Sequence, residues 1–327
     1  MSTKNVVVAG GGGFIGGHLV RDLVSQGHRV HVADVKPIDQ WWQVAEEAVN
    51  HPGLDVGDVT NASALVPDGA DEVYNLAADM GGMGFIHHNK LDCMLSVLPS
   101  TAMLQAARHR GVGMFFYSSS ACVYPDYRQT ETDVRPLREE DAYPAMPEDG
   151  YGWEKLFTER LCRHFLEDAG LQTRVARYHN VYGPQGTWTG GREKAPAALS
   201  RKIATAVLTG ESSIEIWGDG EATRTFMYVD DCVEGTQMIA RADSPEPVNL
   251  GSEELVSINH LATLIEQIAG VELRHEHVEG PQGVRGRSSD NTVISERYGW
   301  APSIKLVDGL ERTYSWVYDQ VKHSLGR

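Results

Sequence analysis

Val6-Val7-Val8-Ala9-Gly10-Gly11-Gly12-Gly13-Phe14-Ile15-Gly16 is the stretch whose reading decides the fold. Four apolar, mostly β-branched residues in a row predict a strand buried on both faces, as in a parallel sheet. Glycines follow at once. Phe14, Ile15, Leu19, Val20, Leu23 and Val24 then recur at helical spacing, up to a stop at Gly27. A strand, a tight glycine turn and a helix in that order make a phosphate cradle. Gly10, Gly13 and Gly16 let the backbone approach a pyrophosphate, and the helix N-terminus offers N–H donors at its positive end. Four successive glycines by themselves also suit a mobile loop, so the residues further out must decide.

Arg29 to Asp34 reads as the second strand, and Asp34 ends it. A carboxylate there binds both ribose hydroxyls of a dinucleotide and repels a 2′-phosphate, which favours NAD over NADP; Lys36 close by softens that exclusion. Asp58-Val59 is expected at the adenine edge. Leu76, Ala77 and Ala78, at the end of a strand beginning at Glu72, are expected beside the middle of the cofactor, with Phe14 and Ile15 on the glycine turn. Further strands are predicted at Met114 to Ser118, Thr173 to Ala176 and Pro247 to Leu250, with helices at Ser100 to His109 and Tyr151 to Glu167. This alternation predicts an α/β fold, a doubly wound parallel Rossmann sheet. The pattern changes after Val181. A smaller α/β substrate lobe is expected from 181–225 and 253–327, over a cofactor-binding domain of 1–180 to which 226–252 returns, Phe226 to Val229 included. Pro125 to Asp149 is long and irregular, and reads as a functional loop.

Bulk properties narrow the function. The chain has 327 residues, 41% hydrophobic and 23% charged, with no apolar run long enough to span a bilayer and no secretory signal pattern at its start. A formal charge of −16 opposes encounter with nucleic acid or an anionic membrane surface. Four separated cysteines without a CxxC pair suit a reduced, cytoplasmic protein. His87-His88 and His275-x-His277 lack ligand partners at metal-binding spacing, so no metal is expected.

The chemistry is carried by three segments. Tyr151 and Lys155 lie four apart on a predicted helix and share a face. An ammonium beside a phenol lowers its pKa, so Tyr151 is expected to take a hydroxyl proton as the cofactor takes hydride, with Lys155 also holding the nicotinamide ribose and Ser120 bonding the reacting oxygen. Such a spacing is common on solvated helices; here it follows a serine-rich strand end in a nucleotide-binding fold. Cys122, two beyond Ser120, projects to the same side if the strand stays extended, and a thiol near a cation can act as a base. A buried, inert thiol is the plainer alternative. Lys194 sits in a glycine-rich loop, where it can equally be a solvated lysine.

Taken together, the glycine turn, Asp34, Asn75-Leu76-Ala77-Ala78, Ser120, Tyr151/Lys155, Arg177 to Pro184, and Gly218-Asp219-Gly220 through Asp231 resemble the extended short-chain dehydrogenase/reductase family. That resemblance implies an enzyme acting on nucleotide-activated sugars with bound NAD, and a homodimer. Within it, Ala78 to Ile86, Ser119 to Pro125, Gly186 to Pro196 and Gly283 to Asn291 are similar to the GDP-mannose 3,5-epimerases. The similarity implies that Cys122 and Lys194 are an acid/base pair, and that C4 of GDP-D-mannose is oxidised only temporarily while C5 and C3 are inverted, giving GDP-L-galactose and GDP-L-gulose. The substrate contacts it implies are Gly81, Met83, Ser120, Cys122, Asn180, Lys194, Arg224, Arg285 and Arg287, the last two suiting a pyrophosphate through bidentate guanidinium geometry. A GDP-4-keto-6-deoxymannose epimerase/reductase is the rival enzyme, with a histidine expected where Lys194 stands. A nucleotide-sugar-binding protein without turnover is the rival of another class.

Overall fold

The computed structural model describes residues 2–281 and 283–327. Its centre is a seven-stranded parallel sheet in the order β11-β6-β5-β4-β1-β2-β3. Of its members, β1 (Asn5–Ala9), β2 (Arg29–Asp34), β3 (Val49–Pro52), β4 (Glu72–Asn75), β5 (Met114–Ser120) and β6 (Thr173–Tyr178) come first along the chain. Between them run α1 (Phe14–Ser25), α2 (Val59–Leu65), α3 (Met83–His88), α4 (Lys90–Leu95), α5 (Val97–His109) and α6 (Asp149–Ala169). Strand order reverses between β1 and β4, and a crevice therefore opens at the strands' carboxyl ends beside Gly10.

The apolar run of β1 explains why both faces must be covered. Val6 and Val8 pack with Leu19, Leu23, Val30 and Val32, while Val7 and Ala9 pack with Val73 and Phe115 on the other side. Val6, Val7, Val8 and Ala9 are all fully buried. Burying a valine side chain contributes about 1.5–3 kcal/mol, so this strand anchors the glycine turn firmly.

Beyond β6 the chain forms β7 (Val181–Tyr182), α7 (Ala195–Thr209), β8 (Ser213–Trp217), β9 (Thr223–Thr225), β10 (Met227–Tyr228) and α8 (Val229–Ala240). It returns as β11 (Val248–Leu250), then makes β12 (Leu255–Ser257), α9 (Ile258–Ala269), β13 (Arg274–Val278), β14 (Gly286–Arg287), α10 (Thr292–Tyr298) and α11 (Leu306–Ser324). One apolar cluster runs from Val6 and Val8 through Tyr178 to Ile203, Leu261 and Leu310, so these helices share the sheet's core.

Two expectations change here. Val248–Leu250 joins the central sheet beside β6, but Met227–Tyr228 pairs instead with Val181–Tyr182 as a separate parallel ribbon. The cause is local. Asn180 adopts a left-handed φ of 39° just after β6, and β11 already occupies that strand's free edge. The second change is β3, which the sequence reading passed over; it is short, polar and at the sheet edge, where alternation is weakest. The irregular stretch from Pro125 to Asp149 is pinned to distant chain: Arg177 Nη1 donates to the Glu139 carbonyl at 2.8 Å, and the Arg285 N–H donates to the Gln129 carbonyl at 2.8 Å.

Candidate active site

The crevice holds a cavity of about 930 Å³. Gly10, Gly13, Phe14, Ile15, Gly16, Asp34, Leu76, Ala77, Ala78, Gly81, Ser120, Tyr151, Lys155 and Lys194 all border it, as the sequence reading places them. The glycine turn is built for close approach. Gly10 has φ +82°, and a Cβ on Gly16 would lie 2.2 Å from the Gly10 carbonyl oxygen. The N-cap of α1, Gly13, supplies no side-chain hydrogen bond, and the first turn carries no acidic residue. Its backbone N–H groups are therefore left for an anion. Asp34 is buried at the end of β2 and accepts the Lys36 N–H at 3.0 Å, which fixes the carboxylate on the cavity wall. These features fit a dinucleotide.

Asp55 and Val56 border the cavity, whereas Asp58 and Val59 do not. Asp58 instead caps α2, accepting the N–H groups of Thr60 and Asn61, and those bonds hold its carboxyl below the usual range. Asp-x-x-Asp beside a helix start hid which carboxylate was the cap.

Ser120 ends β5, and Tyr151 and Lys155 project from the first turns of α6. Lys155 is 1% exposed; its Nζ lies 5.4 Å from the Tyr151 ring centroid and 3.6 Å from Glu154 Oε2. Burial pushes the Tyr151 phenol well above its ordinary value, with Cys122 and Glu154 adding to the rise and a Ser120 hydrogen bond opposing it. This corrects the expected lowering by Lys155. The ammonium is near the ring, and a buried carboxylate answers its charge. Glu154 was missed by sequence reasoning. Its Oε1 accepts the hydroxyls of Tyr117 and Thr158, each at 3.0 Å, while Oε2 is buried without a hydrogen bond.

Cys122 is not on an extended strand. Ser120 Oγ accepts the Cys122 N–H at 3.2 Å and starts a 3₁₀ turn over Ala121–Val123. That turn carries the thiol to Arg287, whose Nη1 donates to Sγ at 3.4 Å. Arg287 is 4% exposed and its other donors are engaged: Nη2 to Glu148 Oε2 and Nε to Gln129 Oε1, both at 2.6 Å. Glu148 in turn donates its N–H to the Cys122 carbonyl at 3.2 Å. Arg287 thus frames the cysteine through one bond from each of its three nitrogens. Glu148 and Gln129 carried no sequence signal, since only tertiary packing brings them there.

Lys194 is the N-cap of α7 and borders the same cavity. Burial lowers the ammonium's pKa and Arg287 adds to that, while Cys122 opposes it. Arg224, in register beside Arg287 on β9, donates to the carbonyls of Thr223 and Val284; burial, with Arg287, takes it down to about 10. Arg285 is turned outward into a two-point pair with Asp219 at 2.8 Å, a bond that holds Asp219 at about 2. Neither Arg224 nor Arg285 borders the cavity, nor do Cys122, Arg287, Met83 and Asn180. Met83 opens α3 and covers Gly283, where a Cβ would meet its Cε at 2.9 Å. Asn180 donates its side-chain amide to the Thr225 carbonyl at 3.1 Å.

Comparison with known proteins agrees with this geometry. Residues 6–251 match the NAD dependent epimerase/dehydratase family. GDP-mannose 3,5-epimerase 1 of Oryza sativa subsp. japonica is 48% identical over 320 residues, covering 97% of this chain and 82% of that protein. GDP-mannose 3,5-epimerase of Arabidopsis thaliana is 44% identical over 323 residues, covering 97% and 83%. Among solved structures, UDP-glucuronic acid 4-epimerase from Bacillus cereus, in complex with UDP-glucuronic acid and NAD, superposes with a TM-score of 0.81 at 25% identity, covering 97% of this chain and 99% of that one. By matched length and by identity, the chain belongs to the NAD dependent epimerase/dehydratase family, on its GDP-mannose 3,5-epimerase branch.

Proposed function

We propose that this protein epimerises GDP-D-mannose at C5 and C3, giving GDP-L-galactose and GDP-L-gulose. The observation that carries the reading is a thiol, Cys122, bonded by Arg287 and packed with Tyr151, together with an ammonium, Lys194, on the cavity wall that Ser120, Tyr151 and Lys155 also line. Hydride transfer alone has no use for such a pair. NAD, which the glycine turn and Asp34 fit, supplies a reversible hydride acceptor for C4. Ser120 and Tyr151 hold the C4 oxygen and move its proton, and Lys155 with Glu154 forms the buried ion pair behind them. Burial raises the pKa of the Tyr151 phenol, and its hydrogen bond with Ser120 opposes that rise.

A ketone at C4 acidifies the C–H bonds at C3 and C5. Inverting either carbon needs a base on one face and an acid on the other. Arg287 Nη1 donates to the Cys122 sulfur at 3.4 Å and holds the thiol in place. The lowered pKa of Lys194 brings its proton closer to exchange at working pH. Returning hydride to C4 leaves the cofactor unchanged overall.

The protein acts in the cytoplasm as a homodimer in this reading. No helix among the described residues is long and apolar enough to cross a membrane. Leu91, Leu98, Trp153 and Phe157, on α4, α5 and α6, are 44–70% exposed, an apolar face suited to a second copy. Sedimentation should give twice the chain mass; a monomer at micromolar concentration removes this part. The reaction is tested with GDP-mannose in heavy water. Deuterium at C3 or C5 without net NADH is expected, and unlabelled, unchanged sugar under demonstrated binding overturns the reading.

A further inference from the structure

We propose that Arg192 is a positioning residue for the proton-exchange step, fastening the loop that carries Lys194 to the apolar cluster that holds Cys122 and Tyr151. The proposal rests on the epimerase reading of the site. Lys194 reaches the cavity from a loop with little stiffness of its own: Gly190 and Gly191 have φ of +89° and +85°, and both Gly191 and Arg192 are exposed. On its far side the loop is fixed by α7. The Lys194 carbonyl accepts the Ala198 N–H at 2.9 Å, and Glu193 pairs with Arg201 at 2.9 Å.

The opposite wall is reached through Arg192. Its guanidinium donates to the Asp79 carboxylate, and its Cζ lies 3.7 Å from the Phe85 ring centroid. Its own carbonyl accepts the Gly82 N–H at 2.9 Å. A Cβ on Gly82 would lie 2.4 Å from the Glu193 carbonyl oxygen, so the two loops touch backbone to backbone. Phe85 packs in turn on the cluster of Ile86, Cys93, Cys122 and Tyr151. A residue two positions before the ammonium thus stacks on the scaffold of the thiol.

The ion pair itself is 45% and 39% exposed, so its Coulomb part is weak and screened by salt. Direction comes from the planar stack on Phe85 and from the backbone bond, and lysine cannot reproduce the stack. Ring inversion needs the acid and the base at a fixed separation, and small displacements are costly in such steps. Oxidation at C4 uses Ser120, Tyr151 and Lys155, none of which lies in this loop.

The test uses the NAD-loaded protein with GDP-mannose in heavy water. Deuterium at C3 and C5 is followed by NMR, and C4 oxidation by the transient absorbance of reduced nicotinamide. Arg192→Ala should lower exchange about 10- to 100-fold while C4 oxidation stays within about threefold. Asp79→Asn should lower it less, Arg192→Lys should fall between the parent and Arg192→Ala, and Arg192→Ala/Asp79→Ala should be no worse than Arg192→Ala alone. Unchanged exchange in Arg192→Ala overturns the proposal, and so does an equal fall in oxidation and exchange. A parent protein that binds GDP-mannose without labelling it removes the epimerase reading itself, which is a different result from a labelling parent and an unaffected variant.

Discussion

Two reactive centres lie side by side, one on the crevice wall and the other packed behind Tyr151, and they are held in different ways. Ser120, Tyr151 and Lys155 sit on one strand end and one helix, so the helix pitch sets the spacing of Tyr151 and Lys155. The charge of Lys155 is answered by its chain neighbour Glu154. Cys122 and Arg287, by contrast, are 165 residues apart and meet only through the fold, and Glu148, which answers Arg287, is 139 residues from it. The first centre rides on the central seven-stranded sheet. The second is a set of long-range hydrogen bonds, each of which one substitution can remove. The redox half is therefore the robust part of the site, and the proton-exchange half the fragile one.

The largest effect that can break this contrast is Cys122→Ala. Deuterium exchange at C3 and C5 should fall by about 10²- to 10⁴-fold, while transient C4 oxidation survives. Loss of both together would mean that the centres do not work separately. Next comes Arg287→Met, which leaves Glu148 buried without its cation. Chemical denaturation should show a loss of about 3–5 kcal/mol, and adding Glu148→Gln should recover much of it. Failure of the double variant to recover would show that the frame is not an isolated ionic unit.

The pH dependence of Lys194 sharpens the contrast. Burial lowers its pKa in the folded protein, so the unfolded chain holds that proton more tightly. Stability contributed at this position rises with pH between the lowered value and about 10.5, the free-lysine range, and is constant below it. Lys194→Met should then be more stable than the parent at neutral pH, with the difference vanishing by about pH 10.5. A constant difference in melting temperature across that range would remove the buried-ammonium account. Arg285→Ala should do least. Its partner Asp219 lies on the surface, so stability and exchange should both stay near the parent's.

What the sequence made legible divides along the same line. The apolar run into Gly10, Asp34 at a strand end, and Tyr151 four before Lys155 are local patterns, and each lies where its pattern implies. Cys122 was misread in its geometry because a serine side chain, not strand continuation, sets the path of the chain after Ser120. Arg285 and Arg287 look equivalent in sequence. One faces solvent and the other is buried because only the partner strand β9, paired at Gly286 and Arg287, sets which side chain is inside. Asp58 also caps a helix, a role that an aspartate before Val59 does not announce in sequence. Glu148 and Gln129 carry no motif, because their roles exist only through partners elsewhere in the fold.

The pairing of Gly286–Arg287 with Thr223–Arg224 has a consequence for synthesis. The chain leaves the ribosome from its N-terminus, so the glycine turn, Asp34, Tyr151 and Lys155 are all exposed to solvent long before Arg287 emerges. A nascent chain of this protein cannot frame its cysteine until β14 arrives. Until then the thiol lacks its guanidinium partner. The order of translation thus delays the proton-exchange half of the site.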